Sequence, residues 1–326
     1  MLRRLCSRAP RTTSESARGV AVGAFFGIDV QAAKGAVRKQ PRVEPFRVEI
    51  AVLRSRPTLV QGCDGSVTVN RQPFMIEIAA LSKRYGTFTA VRSLDLVVPG
   101  GGELFGFLGP NGAGKTTTMR MIAGILQPTA GTVRIAGHNL RTDPLRAKRA
   151  LGFIPDRPFI YEKLTGMEFL RFTAGLYGEQ GPDVDRRGQE LLALFDLESW
   201  RDELVESYSH GMRQKLIIAS AFVHRPAVIV VDEPMVGLDP KSAKILKDLF
   251  REYTRRGHTV MMSTHTLEIA EDMCDRIGIM QRGELVACGT MHELRGATGT
   301  DDALEDIFLR LTGNEMARGL VEVLDA

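Results

Sequence analysis

Hydrophobic and polar positions alternate along this chain in three rhythms. Ile76-Glu77-Ile78 and Leu94-Asp95-Leu96-Val97-Val98 carry apolar residues at every second position, the period of a strand with one buried face. With Thr132-Val133-Arg134-Ile135 they predict an antiparallel β layer. Leu104 to Leu108, Ala227 to Val231 and Thr259 to Met262 are apolar almost throughout, as strands of a parallel sheet covered on both faces must be. Ile277-Gly278-Ile279-Met280 and Glu284-Leu285-Val286-Ala287, joined by Gln281-Arg282-Gly283, predict a hairpin. From about Pro144 to Phe222 the pattern turns helical, and Gln189 to Leu197 places Leu191, Leu194 and Phe195 on one face. This stretch reads as a helical insertion into the sheet-forming part. Asp239-Pro240 opens a further helix, with the acid at the cap and proline in the first turn.

The chemistry begins where the first buried run ends. Gly109-Pro110-Asn111-Gly112-Ala113-Gly114-Lys115-Thr116-Thr117 fits G-x-x-x-x-G-K-[ST], with a strand before it and a helical pattern (Met119, Ile122, Ile125, Leu126) after it. Glycines remove the Cβ atoms that would keep backbone amides from converging on a phosphate chain. The helix that follows adds its positive end. Lys115 is placed for the β- and γ-phosphates of a nucleotide and the Thr116 hydroxyl for magnesium. Asp232-Glu233 directly follows the second buried run, so Asp232 falls beside the loop, where it holds magnesium or its waters. Glu233, one residue on, is placed to orient or deprotonate an attacking water.

Charge divides the chain of 326 residues unevenly. Residues 1–74 hold 13 Lys/Arg and 5 Asp/Glu, a net of +8, and the remaining 30 basic and 34 acidic residues give −4. The motif-bearing part is mildly acidic, which weighs against a nucleic-acid partner. Cys6, Cys63, Cys274 and Cys288 form no C-x-x-C pair and read as reduced thiols. The longest weakly polar run of the leader, Gly19 to Ile28, is ten residues, against about 20 needed to span a bilayer. Any membrane link then goes through a partner. Residues 1–74 read as a disordered extension or as chain upstream of a start at Met75. A small accessory strand layer and a targeting segment are the alternatives.

Tyr208-Ser209-His210-Gly211-Met212-Arg213-Gln214-Lys215 lies just upstream of Asp232, and with it the chain resembles the ATP-binding subunit of ABC transporters. The resemblance covers roughly residues 76–313 and six motifs in order. It implies an α/β P-loop NTPase with a mixed or parallel core sheet, an antiparallel β subdomain and an inserted helical subdomain (about 144–222). The ATPase domain would run over 75–313, leaving 314–326 as a tail. By resemblance, Tyr85 stacks on adenine, and Gly152-Phe153-Ile154-Pro155-Asp156 is the lid that touches the membrane partner. Ser209 and Gly211 bind the γ-phosphate of ATP held by a second copy. Gly237-Leu238-Asp239 is the dimer-communicating loop, and Ser263-Thr264-His265 carries a histidine sensing the γ-phosphate. A neutral His265 imidazole could accept from water and donate to a phosphate oxygen.

The implied cofactors are ATP and magnesium. The implied partners are a second copy, head to tail, and an integral membrane permease, at the cytoplasmic face of the membrane. Two departures stand out. His210 and Met212 replace the usual Gly and Gln of the signature, and Asp156 replaces the usual Gln of the lid, where it is a further candidate magnesium ligand. These variants, with Ala303 to Gly313 and Phe172 to Gly178, resemble the subgroup that exports drugs, lipids or polysaccharides through a separate membrane subunit. A soluble ABC protein acting on ribosomes or DNA is the rival. It is disfavoured by the single cassette and by the lack of coiled-coil or zinc insertions. Intact Lys115, Glu233 and His265 argue against a degenerate, regulatory module.

Overall fold

The computed structural model describes residues 58–61, 67–70, 74–156, 159–298 and 304–312. Most of the stretch read as a leader lies outside them, as does the tail. Within that stretch, β1 (Thr58–Gln61) and β2 (Val67–Asn70) pair as an antiparallel ribbon.

The alternating segments form β3 (Ile76–Tyr85) and β4 (Phe88–Val98), which pair antiparallel. The first fully apolar run is β5 (Glu103–Leu108), and the phosphate-loop motif then leads into α1 (Lys115–Ile122). Strands β6 (Ala130–Ile135) and β7 (His138–Asn139) complete a four-stranded antiparallel sheet in the order β4-β3-β6-β7. There follow α2 (Pro144–Arg149), β8 (Leu151–Ile154), α3 (Gly166–Leu176), α4 (Pro182–Leu194) and α5 (His210–Phe222). The chain closes with β9 (Val228–Asp232), α6 (Pro240–Arg255), β10 (Thr259–Thr264), α7 (Leu267–Met273), β11 (Arg276–Gln281), β12 (Glu284–Gly289), α8 (Met291–Thr298) and α9 (Leu304–Thr312).

The second sheet has six strands in the order β12-β11-β5-β10-β9-β8. All neighbours are parallel except the β11–β12 hairpin, so the expected mixed core sheet is present. The hairpin turns on Arg282 (φ 48°) and Gly283 (φ 85°), the two positive φ values of a type I′ turn. The central strands β5, β10 and β9 of this sheet are buried along their whole length because both faces are covered. Phe105, Phe107, Val228, Val230 and Met261 pack with Ile76, Val91, Leu96, Met119 and Ile122 from the antiparallel sheet and α1. Leu104, Leu108, Ile229, Val231, Val260 and Met262 pack with Phe169, Leu192, Phe195, Ile218 and Phe250 from the helices. Burying such side chains contributes roughly 1.5–3 kcal/mol each.

Two expectations are corrected. The stretch 144–222 contains β8, an edge strand of the core sheet paired with β9, which separates the short α2 from the run of helices that opens at Gly166. A four-residue apolar run carries no period that separates strand from helix. Helix α3 starts at a capping box, with the Thr165 side chain accepting from Glu168 N and the Glu168 carboxylate accepting from Thr165 N. In α4 the buried face is Leu191, Leu192 and Phe195, while Leu194 is exposed. The buried face steps through Val184, Gly188, Leu191 and Phe195, and Leu194, about 100° around the axis from Phe195, falls outside it.

Candidate functional site

The ends of β5, β9 and β10 lie side by side in parallel register, with Leu108 opposite Thr264 and Asp232 opposite Ser263. Parallel pairing therefore brings the phosphate loop, the acid pair and the histidine to one edge of the sheet. The loop is pressed from behind. A Cβ at Gly109 would lie 2.4 Å from Met280 O, and one at Gly114 would lie 2.5 Å from Ala90 O. Gly114 caps α1 at φ 104°, a region disfavoured for other residues. Gly112 also has positive φ, 80°, but faces open space. The first helical bond runs from Thr118 N to Gly114 O, so the amides of Gly114, Lys115, Thr116 and Thr117 stand at the free helix start. The Ala113 amide is different: it donates within the loop, to Pro110 O at 3.1 Å.

The Lys115 ammonium donates to Gly109 O (2.6 Å) and Pro110 O (3.2 Å). The residue is only 6% exposed. Burial pushes its pKa down, against the upward pull of Glu233 and Asp232. Asp232 is buried, and its Oδ1 accepts from the Ser263 hydroxyl. Ser263 Oγ also accepts from Glu233 N at 3.3 Å. Glu233 adopts φ 53°, which turns it away from the strand just left. Its Oε1 pairs with His265 Nδ1 at 2.8 Å, the histidine side chain being 53% exposed and the glutamate 15%. Lys115, Asp232, Glu233 and His265 thus form one constellation, with Thr116 and Thr117 half-buried on the adjoining turn.

The other expected residues are placed around it. Tyr85 is half exposed at the turn of the β3–β4 hairpin, opposite Phe88 and with Lys83 Nζ 5.2 Å from its ring centroid. The same hairpin backs the loop through Ala90. Asp156 is exposed just past β8, whose last residue pairs with Val231 next to Asp232. Asp239 caps α6: Oδ1 accepts from Ser242 N (3.0 Å), Oδ2 from the Ser242 hydroxyl (2.5 Å), and Lys215 Nζ lies 3.7 Å away. The Ser242 donors hold its carboxyl down at about 2. Ser209 caps α5, accepting from Met212 N at 3.3 Å, and is exposed. Among the described residues, no hydrogen bond joins Ser209 or Gly211 to the loop. The Ser209 side chain thus faces solvent without a bond to the constellation at Lys115.

The donors and acids suit a magnesium-bound polyphosphate. An ammonium and free helix-start amides face one way, with a hydroxyl and a carboxylate beside them. Among the described residues, no three or more His, Cys, Asp or Glu side chains gather for a metal ion. A Thr116 hydroxyl with the Asp232 carboxylate would fit the sparse set of protein ligands that magnesium takes when it also binds substrate phosphates.

Two features escaped sequence reasoning. Ser263 ties the two acids together, and the signal for it was its position at the end of the strand beside Asp232. Phe159, Tyr161 and Phe172 form an exposed aromatic group, with ring centroids 5.3 and 5.1 Å apart. It exists only once the segment after β8 folds against α3, so no local pattern announces it.

Comparison with known proteins agrees with this geometry. The family model described as ABC transporter matches residues 92–236. The linearmycin resistance ATP-binding protein LnrL of Bacillus subtilis (strain 168) is 33% identical over 231 residues, 71% of this chain and 74% of the relative. The daunorubicin/doxorubicin resistance ATP-binding protein DrrA of Streptomyces peucetius is 39% identical over 234 residues, 72% of this chain and 71% of the relative. A solved ATP-binding subunit of an ABC transporter superposes with a TM-score of 0.70 at 34% identity, covering 73% of this chain and 100% of that one. A dimeric ATP-binding cassette in a post-hydrolysis state, bound to ADP and phosphate, superposes at 0.59 with 25% identity, over 67% and 99%.

Proposed function

This chain belongs to the ABC transporter family as an ATP-binding subunit that hydrolyses ATP to power export through a separate permease, and we propose how its own residues do so. The observation that carries the reading is the meeting of Lys115, Asp232, Glu233 and His265 at one sheet edge. The helix-start amides of Gly114 to Thr117 and the Lys115 ammonium bind the phosphates of ATP. Lys115 leaves the carbonyls of Gly109 and Pro110 to do so. Thr116 and Asp232 hold magnesium, with Asp156 as a further acid at the neighbouring strand end. When bound, that ion offsets charge on the β- and γ-phosphates. Glu233 takes a proton from the attacking water. His265 Nδ1 lies 2.8 Å from the Glu233 carboxylate, which leaves Nε2 for the γ-phosphate or the attacking water. Tyr85 offers a ring face to adenine.

Ser209 and Gly211 face outward, and a second copy's nucleotide is what would meet them in a head-to-tail dimer. The permease side is the lid at Asp156 and the aromatic group Phe159, Tyr161 and Phe172. No helix among the described residues is long and apolar enough to cross a membrane; docking on a permease would place the subunit peripherally, at the cytoplasmic face. Glu233→Gln tests the reading. Nucleotide affinity should hold, the protein should accumulate as an ATP-bound dimer, and turnover should fall about 10²–10⁴-fold. Hydrolysis at the normal rate refutes the base. A monomer at saturating ATP refutes the dimer.

A further inference from the structure

Two large rings stand in solvent at the tip of the β3–β4 hairpin. Tyr85 and Phe88 flank its two-residue turn, Gly86-Thr87, and are directly opposite each other in the ladder. Gly86 takes φ 58°, the positive value that a glycine supplies at the first position of such a turn. Residues directly opposite in an antiparallel pair project from the same side of the ribbon, with Cβ atoms about 5 Å apart. Tyr85 is 49% exposed and Phe88 63%. Among the described residues, neither ring meets another aromatic ring. One exposed phenylalanine on a surface is ordinary. Set opposite the ring that faces adenine, it adds apolar area where a base would lie.

The tip is held firmly. Lys83 Nζ stands over the Tyr85 ring, 5.2 Å from its centroid, and donates to Gln127 O at 2.7 Å. Arg84 N donates to Thr129 Oγ1 (3.0 Å), and Thr129 N donates to Ser82 O (2.8 Å). These bonds join the hairpin to the segment that follows α1, the helix whose start carries the phosphate-binding amides. On the other strand, Ala90 O lies against Gly114 of the phosphate loop. Phe88 is two residues from Ala90, roughly 7 Å along the strand at about 3.4 Å per residue. That is within reach of the base of a nucleotide whose phosphates rest on the loop.

We propose that Phe88 is a specificity-determining residue for the nucleobase: with Tyr85 it forms a two-ring stacking platform that favours purine over pyrimidine nucleotides. This rests on the ATP-binding reading above. The fused rings of a purine are long enough to lie over both side chains, whereas a pyrimidine covers one. The platform therefore sorts bases by the size of their π face rather than by their hydrogen-bonding edges. Adenine and guanine should be held alike.

The test measures equilibrium affinities of the full chain for MgADP, MgGDP, MgCDP and MgUDP, together with kcat and KM for ATP hydrolysis. Stacking of a base on an aromatic side chain is worth about 5- to 150-fold in affinity. Wild type should bind ADP and GDP within about threefold of each other and at least about fivefold tighter than CDP and UDP. Phe88→Ala should weaken ADP and GDP about five- to tenfold, and CDP and UDP less than about twofold. It should raise KM for ATP by the factor lost for ADP, with kcat within about twofold. Phe88→Leu, which keeps apolar bulk without a π face, should behave like the alanine variant, and Phe88→Trp should retain the purine preference. A wild type without that preference, an equal loss for all four nucleotides, or a leucine variant as selective as wild type each overturn the proposal. A wild type that binds no ADP, or a Tyr85→Ala chain that binds it undiminished, overturns instead the nucleotide reading beneath it.

Discussion

Ser263→Ala removes one oxygen from the centre of the acid pair, and its cost can be worked from the structure. Ser263 and Asp232 are both buried, with 0% and 2% exposure, so water cannot replace the hydroxyl that donates to the Asp232 carboxylate. A hydrogen bond to a charged group is worth about 1.5–3 kcal/mol, and leaving a buried acceptor unpaired falls at the upper end of that range. Alanine leaves a space of one oxygen atom, so the cavity cost is small and unfolding should be easier by about 2–3 kcal/mol. The functional effect is distinct. Glu233 N keeps its bond to Ser263 O (3.2 Å) but loses Ser263 Oγ (3.3 Å), so the base is loosened rather than freed. Loss of a group that orients others typically costs about 10- to 100-fold, which should appear in kcat. The assays are urea unfolding and steady-state ATPase rates. A double-mutant cycle with Asp232→Asn should show coupling of at least about 1 kcal/mol. Stability within about 0.5 kcal/mol of wild type, with no coupling, would refute the claim that the hydroxyl holds this carboxylate.

Three further outcomes follow from local geometry. Gly114→Ala must place a Cβ 2.5 Å from Ala90 O at φ 104°, so differential scanning should show a loss of at least about 2 kcal/mol and equilibrium binding a weakened affinity for ATP. Gly112→Ala, with positive φ but open space, should cost only the backbone strain of about 1–2 kcal/mol. Burial raises the Glu103 carboxyl to about 7 despite Arg276 at 3.1 Å. The folded state then holds a proton that the unfolded chain releases at its ordinary value near 4.5. Stability from this group is full below pH 4.5 and falls as pH rises to about 7, by up to about 3 kcal/mol. Glu103→Gln, whose amide oxygen still accepts from Arg276, should flatten that slope in denaturation curves recorded between pH 5 and 8.

Much of this fold was legible because both sheets obey simple patterning. Apolar runs such as Val228 to Val231 are unambiguous when followed by Asp232-Glu233, since a charged pair at the end of a doubly covered strand points to the open edge. The phosphate loop was legible for the same reason, as it joins a strand to a helix. Leu151 to Ile154 was not, because four apolar residues inside a helix-rich stretch become a strand only through pairing with β9. Leu194 was misplaced because a step of three from Leu191 was taken for the buried face, which instead steps by four to Phe195. The role of Ser263 depends on the register between two strands 31 positions apart, which no local pattern encodes.

The division of the site into two parts bears on how motif order should be used. Read along the chain, Ser209 precedes Asp232 by only 23 positions, and proximity in sequence invites placing both at one nucleotide. The fold brings the loop beyond Asp232 back against the first turn of α5, where a Cβ at Gly237 would lie 3.3 Å from His210 Nε2, so the two motifs are neighbours in space as well as in sequence. What separates their roles is the direction each faces: Ser209 is exposed at its helix cap, while Asp232 is buried against the Ser263 hydroxyl. Among the described residues, no hydrogen bond joins Ser209 to the phosphate loop, so if both act on ATP the exposed cap can meet a nucleotide held by a second copy.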